Sequence, residues 1–234
     1  MTVTRVRREL FPVTPSWAGS LYRKRKKERK IGLMAGLLQL LALSVALFTI
    51  PSSTDSSTLN ITFQRSLNLS RKILQDVRDL LIKYKQEKIG HPSFEDYNVI
   101  LSSLPCTRTV YSYWLHMQDV ERLVLNAKDL HVFWIHVDFK RIDELGESQH
   151  STMGKSMEMV SLDLRDLISH LSSQISALNS TSPDPPDVTL PHNVLNTAYD
   201  WHGKLQGYII FRDLELYLNK VIRDFTLLKN KYRE

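Results

Sequence analysis

Trp201–Lys231 reads WHGKLQGYIIFRDLELYLNKVIRDFTLLKNK. Phe211, Leu214, Leu218, Val221, Phe225 and Leu228 recur three and four residues apart, which places them on one face of an α-helix. No proline and no strand-like alternation interrupts the stretch. The spacing predicts one long amphipathic helix over about Tyr199–Lys231. A helix with a single apolar stripe must bury it against other elements.

Three further segments carry the same period. The first runs over about Ile61–Lys88, with Leu67, Leu74, Val77, Leu81 and Tyr84 in line and Ile73 and Leu80 widening the stripe. The second, about Thr109–Leu145, repeats at Val120, Leu123, Ala127, Leu130, Trp134 and Val137. The third, about Lys155–Leu178, repeats at Met157, Val160, Leu164, Leu167, Leu171 and Ile175. No stretch after residue 58 alternates like a strand, so the expected class is all-α.

The connections set the expected topology. Gly90, Pro92 and Pro105 mark a long connection after the first helix, and Gly146 and Gly154 bracket a shorter one after the second. A Pro-rich stretch, Thr181–His192, opens another long one after the third. Such helices are roughly 36 to 55 Å long at about 1.5 Å per residue. A connection of about twenty extended residues reaches about 66 Å, enough to return along a neighbour and enter a parallel helix; the short one suits an antiparallel step. Long, short, long implies a long-chain four-helix bundle with up-up-down-down topology.

Before the bundle lies Leu33–Ile50, an apolar run preceded by the basic block RKRKKERK (Arg23–Lys30) and followed by the Ser/Thr-rich Ser52–Thr58. That order is the pattern of a secretory signal. The N-terminal region is longer than a signal needs, which leaves two readings: translation from Met34, or an uncleaved signal anchor. The expected division is a targeting segment over 1–50 and a bundle domain over 58–234. If the anchor is retained, the alternative is a type II membrane-anchored helical scaffold or adaptor.

The formal net charge of +6 follows from the same division. Residues 1–33 hold ten Lys/Arg against two Asp/Glu, a balance of +8 that leaves −2 for the rest. An electrostatic case for nucleic acid therefore falls away. A single cysteine, Cys106, permits no internal disulfide. Sequons at Asn60, Asn68 and Asn179 are candidate glycosylation sites and suit a secreted chain.

Catalytic signatures are missing from the sequence. Gly154-Lys155-Ser156 ends like a phosphate-binding loop, but Gln149 stands where the first glycine is required. The one Glu-x-x-His pair, Glu147 to His150, falls in the expected loop, whereas a helical di-iron site needs two such pairs on facing helices. His131 and His136 are five apart and face different ways. No metal, cofactor or enzymatic activity is expected.

Three features resemble the interleukin-6 cytokines, within them the branch of ciliary neurotrophic factor, cardiotrophin and cardiotrophin-like cytokine. They are LNLSRKILQDVRDLLIKYKQEKIGHPSF (Leu67–Phe94), the Trp201–Lys231 helix with its Lys220-x-x-Arg223-Asp224-Phe225 run, and the order of the loops. The resemblance implies a secreted cytokine that joins a leukaemia-inhibitory-factor receptor chain to the family's shared signal-transducing chain and activates JAK-STAT signalling. Some members also need a non-signalling alpha receptor. The family's Phe-x-x-Lys receptor motif at the start of the fourth helix matches Trp201-His202-Gly203-Lys204, with Trp in place of Phe. By itself, the i, i+3 spacing lets Trp201 and Lys204 present an aromatic beside a cation, although a Trp at a helix start can equally plug the core. Lys220, Arg223 and Asp224 are further candidate receptor contacts.

Overall fold

The structure is a computed structural model that describes residues 56–147, 151–188, 190 and 201–233. The expected targeting segment lies outside them. The described chain forms α1 (Ser56–Tyr84), α2 (Tyr111–His116), α3 (Asp119–Glu147), α4 (Thr152–Ala177) and α5 (Trp201–Lys231). Four are long and amphipathic, and α2 is a single short piece within the first long connection. No strand occurs among the described residues.

Each long helix buries the stripe its period defines. Phe63, Leu67, Leu74, Val77 and Leu81 of α1 meet Leu164, Leu167 and Leu171 of α4 and Leu214, Leu218, Val221 and Phe225 of α5 in one core, closed by Leu123, Leu130 and Val137 of α3. Burying each such side chain contributes roughly 1.5–3 kcal/mol. α1 ends in the wide turn Lys85–Ile89 before the first connection begins at Gly90, whose φ of +81° suits glycine at a helix end. At the end of α4, Asn179 takes the left-handed conformation with φ of 55°. Ser180 N–H donates to Ile175 O and Asn179 N–H to Ser176 O, so the last carbonyls are satisfied.

Side-chain bonds fix the relative directions. The start of α1 meets the end of α5, where Asn60 Nδ2 donates to Lys229 O at 2.7 Å. The end of α1 meets the start of α5, where Tyr84 OH donates to Lys204 O at 3.1 Å. Along α4, Gln174 Nε2 reaches Ser66 Oγ at 2.7 Å and Lys83 Nζ reaches Thr152 Oγ1 at 2.6 Å. On the other side, Lys231 Nζ meets Asp119 at 2.6 Å and Tyr217 OH meets Asp129 at 2.7 Å. So α1 and α3 run one way, and α4 and α5 the other. The pairing of α1 with α5 is close because Gly207 leaves room for a ring: a Cβ there would lie 2.1 Å from the Tyr84 hydroxyl oxygen.

The expected second helix, continuous over Thr109–Leu145, is corrected. It breaks at Met117, which is extended (φ −64°, ψ 132°) and buried. Arg122 Nη2 donates to the freed carbonyls of Trp114 and Met117 at 2.7 and 3.3 Å. These bonds replace the helical ones that continuity would have made, and they let the indole of Trp114 turn back toward α5.

The first long connection crosses α5 and is pinned to it. Arg212 donates to Asp96 O and, at 3.0 Å, to Val99 O, and Asp96 N–H donates to Tyr208 OH at 3.0 Å. Farther along, His136 Nε2 meets Ser103 Oγ at 3.0 Å while its Nδ1 meets Val132 O at 2.8 Å. With Nδ1–H donating to that carbonyl, Nε2 accepts from Ser103. Burial holds the His136 imidazole below its ordinary range, opposed by the Val132 carbonyl, and burial acts on His131 in the same sense. As pH falls through about 6.5, the unfolded chain takes up a proton that the folded chain resists, so stability declines. The melting temperature is expected to drop between pH 7 and pH 5 by less in His136→Gln than in the parent. Equal slopes in thermal scans would remove His136 from the account.

Cys106 is exposed, its Sγ turned to Arg108 O at 3.4 Å. Cys106→Ser leaves no cavity and is expected to change stability by less than about 1.5 kcal/mol. A denaturant titration showing a loss of several kcal/mol would contradict this.

Candidate receptor-binding surfaces

The first turn of α5 carries Trp201 and Lys204. The Trp201 ring stands edge-on to Phe94 at 6.2 Å, and Phe94 packs edge-on to Tyr208 at 4.9 Å. Phe94 comes from the turn after Gly90, so the exit of α1 and the entry of α5 build one aromatic step. Trp201 remains 48% exposed at its top; it lies on the core's edge rather than plugging it. Lys204 is half-buried, one helical turn away on the same face, beside Tyr84, Lys88, Lys140 and Glu144. Its ammonium makes no ion pair with a described residue, whereas Lys88 binds Glu144 at 2.7 Å. An exposed indole beside an ammonium can take an apolar side chain and a carboxylate from a partner.

Lys220 and Asp224 depart from expectation. They are 2% and 0% exposed, covered by α3. Asp224 Oδ1 accepts from Arg122 Nη1 and from the Trp114 indole, each at 2.6 Å. Its Oδ2 accepts from Asn126 Nδ2 at 2.9 Å and lies 3.5 Å from Lys220 Nζ. Lys220 Nζ also donates to Asn126 Oδ1 at 2.7 Å and to Tyr217 OH at 3.3 Å. Burial draws the Lys220 ammonium below the usual lysine range against the pull of Asp224 and Asp129. It pushes the Tyr217 hydroxyl well up, with Asp129 adding to the shift, and raises Asp129 itself. The reading of Lys220 and Asp224 as receptor contacts is therefore corrected: buried side chains offer a partner no surface, and these two join α5 to α3.

Arg223, between them in sequence, is exposed, with its guanidinium 5.7 Å from the Trp114 ring centroid. It borders a second candidate surface that the periodicity reading missed. Val110, Tyr111, Tyr113 and Leu115 are all exposed on α2 and its entry. Tyr111 and Leu115, four apart, share one face of α2 and Tyr113 lies on another; so many exposed apolar side chains in six residues mark a candidate interaction site. The cue was in the sequence: the Tyr-Ser-Tyr-Trp-Leu run puts apolar residues at adjacent positions, which one helical stripe cannot absorb.

The three sequons are placed differently. Asn179 is exposed at the end of α4 and Asn68 is exposed on α1. Asn60 is half-buried, and the amide nitrogen that would carry a glycan is bonded to Lys229 O. That packing does not suit a bulky sugar at Asn60. Among the described residues, no group of His, Cys, Asp and Glu is arranged to hold a metal ion, and no helix is long and apolar enough to cross a membrane.

Four long helices around one core, α1 and α3 running one way and α4 and α5 the other, define a long-chain helical cytokine. The Interleukin 11 family model matches residues 51–232, and the chain belongs to that family, among the interleukin-6-type cytokines. It is similar to the interleukin-27 subunit alpha of Sus scrofa, 27% identical over 180 residues that cover 71% of this chain and 73% of the relative. The human interleukin-27 subunit alpha is 26% identical over 216 residues, 82% and 86% of the two chains. Cardiotrophin-2 of Pan troglodytes is 22% identical over 200 residues, 85% and 97% of the two chains. Such proteins are cytokines and not enzymes.

Proposed function

We propose that this chain is a secreted cytokine of the ciliary neurotrophic factor and cardiotrophin branch. It acts by joining a leukaemia-inhibitory-factor-type receptor chain to the shared interleukin-6-family signal transducer, with JAK-STAT activation as the output. The observation that carries the reading is the half-exposed Trp201 set edge-on to Phe94, with Lys204 one turn away and in no ion pair with a described residue. It occupies the position of the receptor motif in the resembling family, and the aromatic anchor is kept there as Trp. The α2 patch with Arg223 supplies a second surface, which a cytokine that joins two or more receptor chains requires; a non-signalling alpha receptor is among the chains it suits.

Residues 1–50 act as the targeting segment and 58–234 as the mature domain, with glycans on Asn179 and Asn68. Expression in animal cells is expected to release a chain beginning between about Thr49 and Thr58. N-terminal sequencing that found Leu33–Ile50 intact on membrane-bound material would instead support a retained anchor. The receptor reading is tested by surface plasmon resonance on immobilised ectodomains of the leukaemia-inhibitory-factor receptor, the shared transducer and the alpha receptors. Binding to none of them would remove it.

A further inference from the structure

Six residues of helix are too few to persist alone in water, and α2 buries none of its side chains. It is flanked by extended residues at both ends, Val110 and Met117. Its position must therefore come from contacts outside its own turns, and those contacts converge on one carboxylate. The Trp114 indole donates to Asp224 Oδ1 at 2.6 Å, and Arg122 Nη1 donates to the same oxygen at 2.6 Å. Arg122 Nη2 holds the carbonyls of Trp114 and Met117. The Trp114 ring also lies within 5.0 Å of the Arg122 guanidinium and 5.7 Å of the Arg223 guanidinium, a distance at which each cation is attracted to the ring. Beyond these, Tyr113 OH donates to Glu121 at 2.7 Å on the exposed side.

The two halves of this arrangement are not equally dependent on each other. Without the indole, Asp224 still holds Arg122, Asn126 and Lys220, so α3 and α5 stay joined. Without the indole, α2 loses its hydrogen bond to α5 and keeps those to α3, from Arg122 to Trp114 O and from Tyr113 to Glu121.

We propose that the Trp114–Asp224 bond is a latch that keeps α2 folded and oriented on the bundle, with Trp114 and Arg122 as positioning residues for the surface of Tyr111, Tyr113, Leu115 and Arg223. The latch is a property of the chain itself. Its consequence for binding rests on the reading of that surface as a second receptor site. With the latch closed, the exposed side chains of α2 are held in one arrangement. With it open, α2 samples other conformations and the binding-competent fraction falls, which weakens apparent affinity in proportion.

Trp114→Phe keeps a ring between the two guanidinium groups and removes only the N–H. Hydrogen exchange on the full secreted chain is expected to accelerate about tenfold or more at residues 111–117, the loss expected for one bond to a charged group. Exchange at the buried amides of α3 and α5 is expected to stay at the parent rate. Unchanged exchange at 111–117 overturns the latch. So does a uniform acceleration across all helices, which would make Trp114 a general stability residue.

Leu115→Ser changes the exposed face without touching the latch and judges the surface reading separately. It is expected to weaken binding to one of the three ectodomain classes, and Trp114→Phe is expected to weaken the same one several-fold while sparing the others. If Leu115→Ser weakens none, the surface reading fails and the exchange result alone decides the latch. If Leu115→Ser weakens one that Trp114→Phe does not, α2 needs no latch to present its surface, and the proposal is overturned.

Discussion

Trp201→Ala combined with Lys204→Ala is expected to abolish signalling while leaving the helix content and melting transition close to those of the parent. Removing a central aromatic anchor commonly costs 2 kcal/mol or more, about thirtyfold in affinity. The fold should tolerate the change because the Trp201 ring is half in solvent and its ring contact is with Phe94 at the periphery. Tyr84 bonds the backbone carbonyl of Lys204, which alanine retains. Binding to the shared transducer should survive, since a bridging ligand presents a different face to each chain, and the variant should then compete with the parent as an antagonist. A reporter assay for activity, paired with ectodomain binding, separates the outcomes. Early melting with loss of every receptor together would make Trp201 a structural residue and end the site assignment.

Asp224→Ala is expected to cost about 3–5 kcal/mol, because removing one partner of a buried ion pair strands the other charge. Arg122 and Lys220 are 1% and 2% exposed, so neither can turn to solvent when the carboxylate goes. Against a total stability of about 5–15 kcal/mol for a domain of this kind, the loss should shift the denaturant midpoint markedly and lower secretion. Arg223→Ala, one residue away but exposed, is expected to stay within about 0.5 kcal/mol. The contrast between adjacent positions is the informative measurement. Similar small losses at both would mean that the buried carboxylate does not hold α3 to α5.

The resemblance to interleukin-27 subunit alpha and cardiotrophin-2 is spread over most of the chain at low identity. That distribution is expected of a bundle whose core accepts many apolar combinations of similar volume. Function then depends on a few surface groups, so receptor choice has to be measured at Trp201, Lys204 and the α2 face rather than inferred from overall similarity.

The amino-acid sequence by itself determined the class of protein. Four apolar stripes of period 3.6, with connections long enough or too short to return along a helix, leave few arrangements other than this bundle, and both signals are local. The Trp201–Lys204 spacing was legible for the same reason, since i and i+3 share a face in any helix. What only the tertiary structure decided was which charges lie inside. Lys220 and Asp224 look like a solvated face because hydropathy scores each residue alone. Their burial is tolerable only through Arg122 and Asn126, 102 and 98 positions from Asp224 in the chain. The break between α2 and α3 is of the same kind. Local propensity favours one helix through Met117, and it is the guanidinium of Arg122, anchored on a distant carboxylate, that takes the carbonyls the break leaves free. Partners that meet only after folding leave no period in the sequence.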